Sequence, residues 1–283
     1  MQLLQVTPPE FPAHWQITSA TLLADTNSSH IWKATITGEE NSPVIVKILK
    51  PAGHEELRGA YYMRERDGHG AIRLLDLQPD PTMMLLEYAG DYDLKAHLDA
   101  GHDAETIRIA ADVIRALHSP SGQVLPSELQ PLRKHFKSLF DLADTVQNIY
   151  TEAARLALHL LDQPHEIIAL HGDLHHENII QNSRGWLAID PHGLCGDAAF
   201  DCANLFYNPL DRDDLCLDEP RALLMAEIFS ETIGKPASYI LDYAFCYGCL
   251  SAAWHREDGN DADEARELKI ASALRTLRLE THP

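Results

Sequence analysis

Between Leu170 and Gly193 the chain reads LHGDLHHENIIQNSRGWLAIDPHG, a stretch that crowds histidines against carboxylates and amides. A metal centre and a catalytic loop both use such a density. His171 and His175 stand four apart, a spacing that suits zinc when both ride one helix face. Gly172 and the apolar β-type runs on either side favour a loop instead. Glu177 also falls outside a His-Glu-x-x-His arrangement, so zinc is the weaker reading.

The stronger pattern is His171-x-Asp173-x-x-x-x-Asn178, followed by a strand-like run and then Asp190, twelve residues beyond Asn178. This spacing suits phosphoryl transfer, in which an Asp faces an acceptor hydroxyl while an Asn and a second Asp hold a divalent ion. Nucleotide phosphates concentrate negative charge, and hard oxygen ligands suit magnesium. A purely structural alternative, a turn Asp and a capping Asn, uses the same letters. The upstream half decides between them. Such a site needs a strand lysine to hold phosphates and an acid on the next helix to hold the lysine. Lys47 lies inside VIVKIL, on the opposite face from its apolar neighbours, and Glu56 follows on a helical segment with Glu55 beside it as the competing choice. In isolation Lys47 could equally be an edge-strand lysine.

These residues need a scaffold. Gln16–Leu23, Ile31–Thr37 and Val44–Leu49 read as strands, HEELRGAYYMRER as a helix with Leu57, Tyr61 and Arg64 along one face, and Ala71–Leu77 and Thr82–Tyr88 as two further strands. From Gly90 onward helical spacing dominates: 103–118, 131–146, 151–161, 220–233 and 237–254, with EIIAL, NIIQN and WLAID as short strands. Residues 255–267 read as a solvated acidic loop. The boundary between a first part, 1–88, and a second, 89–283, falls near Glu87–Gly90. The polar turn ADTNSSHIW lacks glycine, and Asn27, Ser28 and Ser29 are its candidate phosphate donors, an ordinary hairpin turn being the alternative. In LLEYAG the Glu87 carbonyl and the Ala89 amide are the candidate groups for an adenine.

Lys plus Arg number 23 and Asp plus Glu 43, a net charge of −20. That balance disfavours nucleic acid and favours a cationic small molecule. No signal peptide and no membrane-length apolar run are apparent, and five cysteines are an odd number, so a cytoplasmic protein with reduced thiols is expected. Cys246-Phe-Tyr-Gly-Cys249 reads as a buried helix face and His118 as a helix C-terminal cap.

HGDLHHEN with IDPHGLCGDAAFDCAN resembles the paired motifs of the aminoglycoside phosphotransferase superfamily. FPAHW, ADTNSSHIWK, EELRGA, LLEYAG, DRDDLCLD and YGCLSAAW resemble the streptomycin 6-kinases within it, over nearly the whole chain. The resemblance implies an α+β, two-lobed protein-kinase-like fold, with a small antiparallel-sheet N-lobe carrying one helix and a larger, mostly helical C-lobe. It implies ATP- and Mg²⁺-dependent phosphorylation of the streptomycin 6-hydroxyl. Asp173 is then the catalytic residue, Asn178 and Asp190 the metal ligands, Lys47 the phosphate anchor and Glu56 its partner, with Asp201 bracing the loop. For a drug bearing guanidinium groups, Asp197, Asp211, Asp213, Asp214, Glu257 and Asp258 are candidate contacts, with Trp254 available to stack on a cation. A monomer or weak dimer is expected. Another small alcohol or amine (hydroxyurea, a sugar, choline) is the alternative acceptor.

Overall fold

The computed structural model describes residues 7–37, 42–122 and 124–281. The first six residues of the N-terminal stretch lie outside these. Strands β1 (Ile17–Asp25), β2 (Ser29–Ile36), β3 (Pro43–Leu49), β4 (Leu74–Pro79) and β5 (Thr82–Glu87) form an antiparallel sheet in the order β1-β2-β3-β5-β4. Helix α1 (Leu57–Arg66) follows β3 through a 3₁₀ turn, Pro51–Glu56. The expected succession of three strands, a helix and two strands is therefore present.

Alternation along the strands sorts the two faces of the sheet. Val44, Val46, Met83 and Leu85 pack with Trp15, Trp32 and Ala34 in one small core. Ile45, Leu49, Met84 and Leu86 belong to the large core, and Lys47 lies opposite Met84 in the β3–β5 register. Helix α1 departs from expectation. Its buried side is Ala60, Tyr62, Met63, Glu65 and Arg66 rather than Leu57, Tyr61 and Arg64. Two charges can be buried there because Arg66 pairs with Glu65 at 2.6 Å and donates to the carbonyls of Leu117 and Ser119.

The second lobe begins with β6 (Tyr92–Asp93), α2 (Leu94–Asp99) and α3 (Asp103–Leu117). The predicted stripe of α3, Ile107, Ala110, Ala111, Ile114 and Leu117, is buried throughout. β7 (Gln130–Pro131), α4 (Leu132–His135), α5 (Lys137–Ala143) and α6 (Ile149–Asp162) replace the single helix expected at 131–146 and the one after it. Pro131 pairs with Cys195 in a strand, and buried Phe136 separates α4 from α5. The site-bearing segment follows as β8 (Ile168–Leu170), β9 (Ile179–Asn182), β10 (Gly185–Ala188) and β11 (Leu194–Gly196), then α7 (Phe200–Ala203), α8 (Asp213–Cys216), α9 (Glu219–Ile233), α10 (Ala237–Glu257) and α11 (Asp261–Thr281).

Helix α10 is the axis of this lobe. It buries Ile240 through Leu250 without a break, as a helix apolar on all sides must, and packs against α5, α6, α7, α9 and α11. Cys246 and Cys249 are buried free thiols inside it. Residues 255–267 are not a loop: α10 runs to Glu257 and α11 starts at Asp261. The charged run conceals a helix start, with Asp261, Asp263 and Glu264 in its first turn favouring the positive end of the dipole. No helix among the described residues is long and apolar enough to cross a membrane.

Glu267 points into the α10–α11 seam. Burial pushes its carboxyl up to about 7 from the ordinary 4.5, against the pull of Arg266. A folded value above the unfolded one gives stability that is complete below pH 4.5 and lost as pH rises through 7. Glu267→Gln is expected to remove that slope. Relative to the variant, the parent should lose roughly 3 kcal/mol of unfolding free energy between pH 4.5 and 8, as read by urea denaturation.

Candidate active site

Lys47 leaves β3 into the cleft and is almost fully buried, its side chain only 8% exposed. A buried ammonium requires partners. It has two: Glu56 at 2.7 Å, from the 3₁₀ turn, and Asp190, just past β10. Glu55 instead faces solvent and pairs with Arg58 at 2.6 Å, so Glu56 is the acid that reaches the lysine. Burial alone would lower the Lys47 pKa, but the charge of Asp190 and the bonds from both acids raise it above the ordinary value. Burial likewise would raise Asp190, and Lys47 brings it below the carboxylate norm. Asp190 adopts a left-handed backbone (φ 55°), which Asp tolerates better than most residues.

Across from this pair, Asp173 is held by two amides. Asn204 Nδ2 donates to its Oδ1 at 3.0 Å, and Asn178 Nδ2 donates to its main-chain carbonyl at 2.9 Å and to Oδ2 at 3.3 Å. His192 and His175 lie 3.7 and 3.8 Å from Oδ2. Burial would lower His175, but the bond to Glu177 at 2.9 Å and the charges of Asp173, Glu177 and Asp190 together raise its pKa. The loop is wired from beneath by Asp201, which is buried and accepts from the amides of His171 (3.0 Å) and Gly172 (2.8 Å) and from His118 Nε2 (2.9 Å). Burial pushes Asp201 up and the His118 bond pulls it down, leaving it below the carboxylate norm. His118 is thus a brace on Asp201 and not simply a helix cap. His171 Nε2 donates to Ile189 O at 2.9 Å, and the Ile189 amide donates to Asn178 O at 2.9 Å, so the Asp173 loop and the Asp190 turn are laced together.

Besides the Lys47–Asp190 pair and the bonds of Arg66 to Leu117 and Ser119, the lobes meet at further places. Helix α1 crosses so close to the Asp190 turn that a Cβ on Gly59 would stand 2.2 Å from Pro191 O. The Ile72 amide donates to Ala188 O and the Ala188 amide to Gly70 O. At the crossing, Arg184 Nε donates to Glu87 Oε1 at 2.9 Å and its Nη2 pairs with Oε2 at 2.5 Å, while the same guanidinium reaches Gly68 O and Ala71 O. Glu87 therefore has a side-chain role in joining the lobes that the sequence did not suggest. Ala89, two residues on, is buried in the crossing. In the β1–β2 turn the amides of Ser28 and Ser29 donate to Thr26 Oγ1 at 3.3 and 2.9 Å, and Ser29 is buried. Two of the amides expected as donors there, those of Ser28 and Ser29, thus face the Thr26 hydroxyl.

The acids named for a cationic acceptor separate into two groups. Asp197 is buried and accepts from Tyr239 OH (2.8 Å), the His165 amide (3.2 Å) and the Ala199 amide (3.0 Å). Asp214 is bound by Arg212 at 2.8 Å, Asp213 by Arg266 at 2.7 Å and Asp211 by Lys95 at 3.3 Å. These acids brace the fold or its surface. Trp254 is different. A cavity of about 460 Å³ is lined by Trp254, His135, His192, Glu55, Glu56 and Lys134 among others, so it opens beside the Lys47 partner and the histidine nearest Asp173. Trp254 packs edge-on against His135 at 5.0 Å, and Glu257, one turn further along α10, accepts from Ser138 Oγ at 3.0 Å. Asp258 is exposed at the end of that helix. Asn178 uses its nitrogen on Asp173 and keeps a carbonyl oxygen, and Asp190 is half exposed. Both offer hard oxygen donors, the type that Mg²⁺ takes.

Two residues around Asp173 escaped the sequence reading. Asn204 stands in AFDCAN one helical turn after Asp201, a spacing that could have flagged it; His192 is within the motifs but carried no role, and His175 figured only as a zinc ligand.

The overall shape is that of a thermostable mutant of aminoglycoside phosphotransferase APH(4)-Ia, solved as a ternary complex with ADP and hygromycin B. The TM-score is 0.65 at 16% identity, over 92% of this chain and 94% of that one. The fold is thus the two-lobed, kinase-like one, and the family and relatives that the chain matches make it a small-molecule phosphotransferase that acts on an alcohol. More narrowly, the chain belongs to the aminoglycoside/hydroxyurea antibiotic resistance kinase family, whose model matches residues 14–259. It is 34% identical to the streptomycin 3''-kinase of Klebsiella pneumoniae over 271 residues, covering 94% of this chain and 98% of that protein. It is 26% identical to the streptomycin 6-kinase of Streptomyces glaucescens over 275 residues, covering 92% and 86%.

The Gly59–Pro191 approach yields a test of how the lobes are set. Gly59→Ala should force the two elements apart and cost about 1–3 kcal/mol in denaturant unfolding. Turnover should fall by more than the stability loss explains, measured at a temperature where the variant remains folded. An alanine tolerated in both assays would mean the close approach is not needed.

Proposed function

We propose that this protein transfers the γ-phosphate of ATP, in the presence of Mg²⁺, to a hydroxyl of streptomycin, a resistance reaction. The observation that carries the reading is the convergence of Lys47, Glu56 and Asp190 opposite an Asp173 carboxylate held by two amides. Lys47, released from Asp190 when phosphate arrives, binds the α- and β-phosphates while Glu56 keeps its ammonium in place. The Glu87 carbonyl and the Ala89 amide take the adenine, and 1–88 and 89–283 act as nucleotide and acceptor lobes. Ser28 stays near the phosphates; Ser29 acts through the turn. Asn178 and Asp190 hold Mg²⁺, which neutralises phosphate charge when bound.

Asp173 aligns the acceptor hydroxyl and takes its proton as the bond to phosphorus forms. Positioning outweighs basicity in a loose transition state. The amides of Asn178 and Asn204 fix the carboxylate direction, so alignment does not depend on a mobile side chain. The drug's cationic groups sit toward Trp254, with Glu257 and Asp258 beyond it; Asp197 and Asp214, committed elsewhere, take no part.

For the position of transfer we favour the 6-hydroxyl, on the resemblance of DRDDLCLD and YGCLSAAW to the 6-kinases. The 3''-hydroxyl is a second reading, supported by the 34% identity to a streptomycin 3''-kinase. ADP release with streptomycin, followed by NMR of the purified product, separates the two through the carbon that couples to phosphorus. Release with hydroxyurea or choline but not streptomycin would end both.

Asp173→Asn is expected to cut kcat by about 10²–10⁴-fold while nucleotide affinity, read by calorimetry, stays within twofold. Near-normal turnover would remove Asp173 from its role. Trp254→Ala should raise KM for streptomycin by roughly tenfold through the lost cation–π contact and leave KM for ATP alone. An equal rise for ATP would place Trp254 in the nucleotide site.

A further inference from the structure

The turn between α2 and α3 gathers three side chains that the phosphotransfer site does not use. His97 from α2, His102 at the N-cap position of α3 and Glu105 in its first turn bring one donor atom each within 4.8 Å of the others. His97 Nε2 lies 3.4 Å from Glu105 Oε2, and His102 Nδ1 lies 3.8 Å from the same oxygen. Bonds of ~2.0–2.1 Å to imidazole and carboxylate around a tetrahedral ion set neighbouring donors about 3.4 Å apart.

His97 carries the second observation. Its Nε2 is buried and makes no hydrogen bond, although Glu105 Oε2 stands 3.4 Å away. Its other nitrogen, Nδ1, lies 3.2 Å from the Tyr92 hydroxyl. A neutral ring that donates from Nδ1 to Tyr92 presents Nε2 as a base toward Glu105, the tautomer a metal ligand needs. Tyr92 at 6.1 Å and Trp186 at 5.6 Å meet the ring edge-on, and His102 stacks on it at 4.7 Å, so the donor is oriented before any ion arrives. His102 and Glu105 are half or more exposed, which gives an ion an entry path and room for a water.

We infer that His97, His102 and Glu105 form a second metal site, distinct from the Mg²⁺ ligands, for a divalent transition ion of the zinc class. Two imidazoles and one carboxylate select such an ion over magnesium, which prefers an all-oxygen octahedron. The ion fastens the end of α2 to the start of α3 across Ala100–Gly101.

The test uses the full chain without a histidine tag, stripped by a chelator and titrated with Co²⁺. The expected result is a visible ligand-field band with 1:1 binding, displaced by Zn²⁺ but not by millimolar Mg²⁺, and a higher Tm with Zn²⁺. His102→Ala and Glu105→Gln change exposed side chains, and the His102 side chain does not cap α3, so both variants should fold. Each should weaken Co²⁺ binding at least tenfold. Asp190→Ala should leave it within twofold. Affinity unchanged in His102→Ala and Glu105→Gln, or lost in Asp190→Ala, would overturn the assignment. None of these readouts depends on turnover, so they stand apart from the proposed reaction.

Discussion

A lysine ammonium buried between two lobes is the constraint around which this protein is organised. Lys47 has little water to solvate it, and leaving such a charge without a partner costs several kcal/mol. Glu56 and Asp190 supply the counter-charge from opposite sides, one from the sheet lobe and one from the helical lobe. The pair forms only when β3, the 3₁₀ turn and the residues after β10 are all in place. The Gly59–Pro191 approach brings the last two together. Assembly of the cleft and satisfaction of this one cation are the same event.

On the other side of the cleft, most of the histidine-rich motif is wiring. His171 is buried and spends its ring on Ile189 O, and burial outweighs Asp201 in lowering its pKa. Buried His176 is lowered to about 3 by burial, with Arg221 adding to it. The side chains that hydrogen-bond the Asp173 carboxylate are amides, Asn178 and Asn204, which orient without titrating, while His192 and His175 stand farther off at 3.7 and 3.8 Å. A density of ionisable groups in the sequence thus resolves into one carboxylate presented to the cleft and a scaffold that fixes its direction.

The parts that sequence revealed are those encoded over short distances. Strand alternation exposed Lys47 among apolar neighbours, and the spacing from His171 to Asp190 lies within one loop and hairpin. The buried stripe of α3 followed from its helical period. Long-range partners left no such mark. Arg184 reaches Glu87 across 97 positions and His118 reaches Asp201 across 83. Polar residues also misled where a partner satisfied them: Glu65 and Arg66 lie on the buried side of α1, which periodicity assigned to Leu57, Tyr61 and Arg64. The acids nominated for a cationic acceptor failed to separate for a related reason. Composition records Asp214 and not the Arg212 that already holds it.

The crossing between lobes is pinned on both sides, by Glu87 with Arg184 and by Lys33, which donates to Tyr88 OH at 2.6 Å and lies 3.6 Å from Asp91. A sheet fastened there behaves as a beam fixed near one end. Rocking of the small lobe displaces the fastened end least and the remote β1–β2 hairpin tip most. That tip is self-closed through Thr26 and tied to Lys50, so any rocking of the small lobe would carry it as a unit, without unfolding of the turn itself.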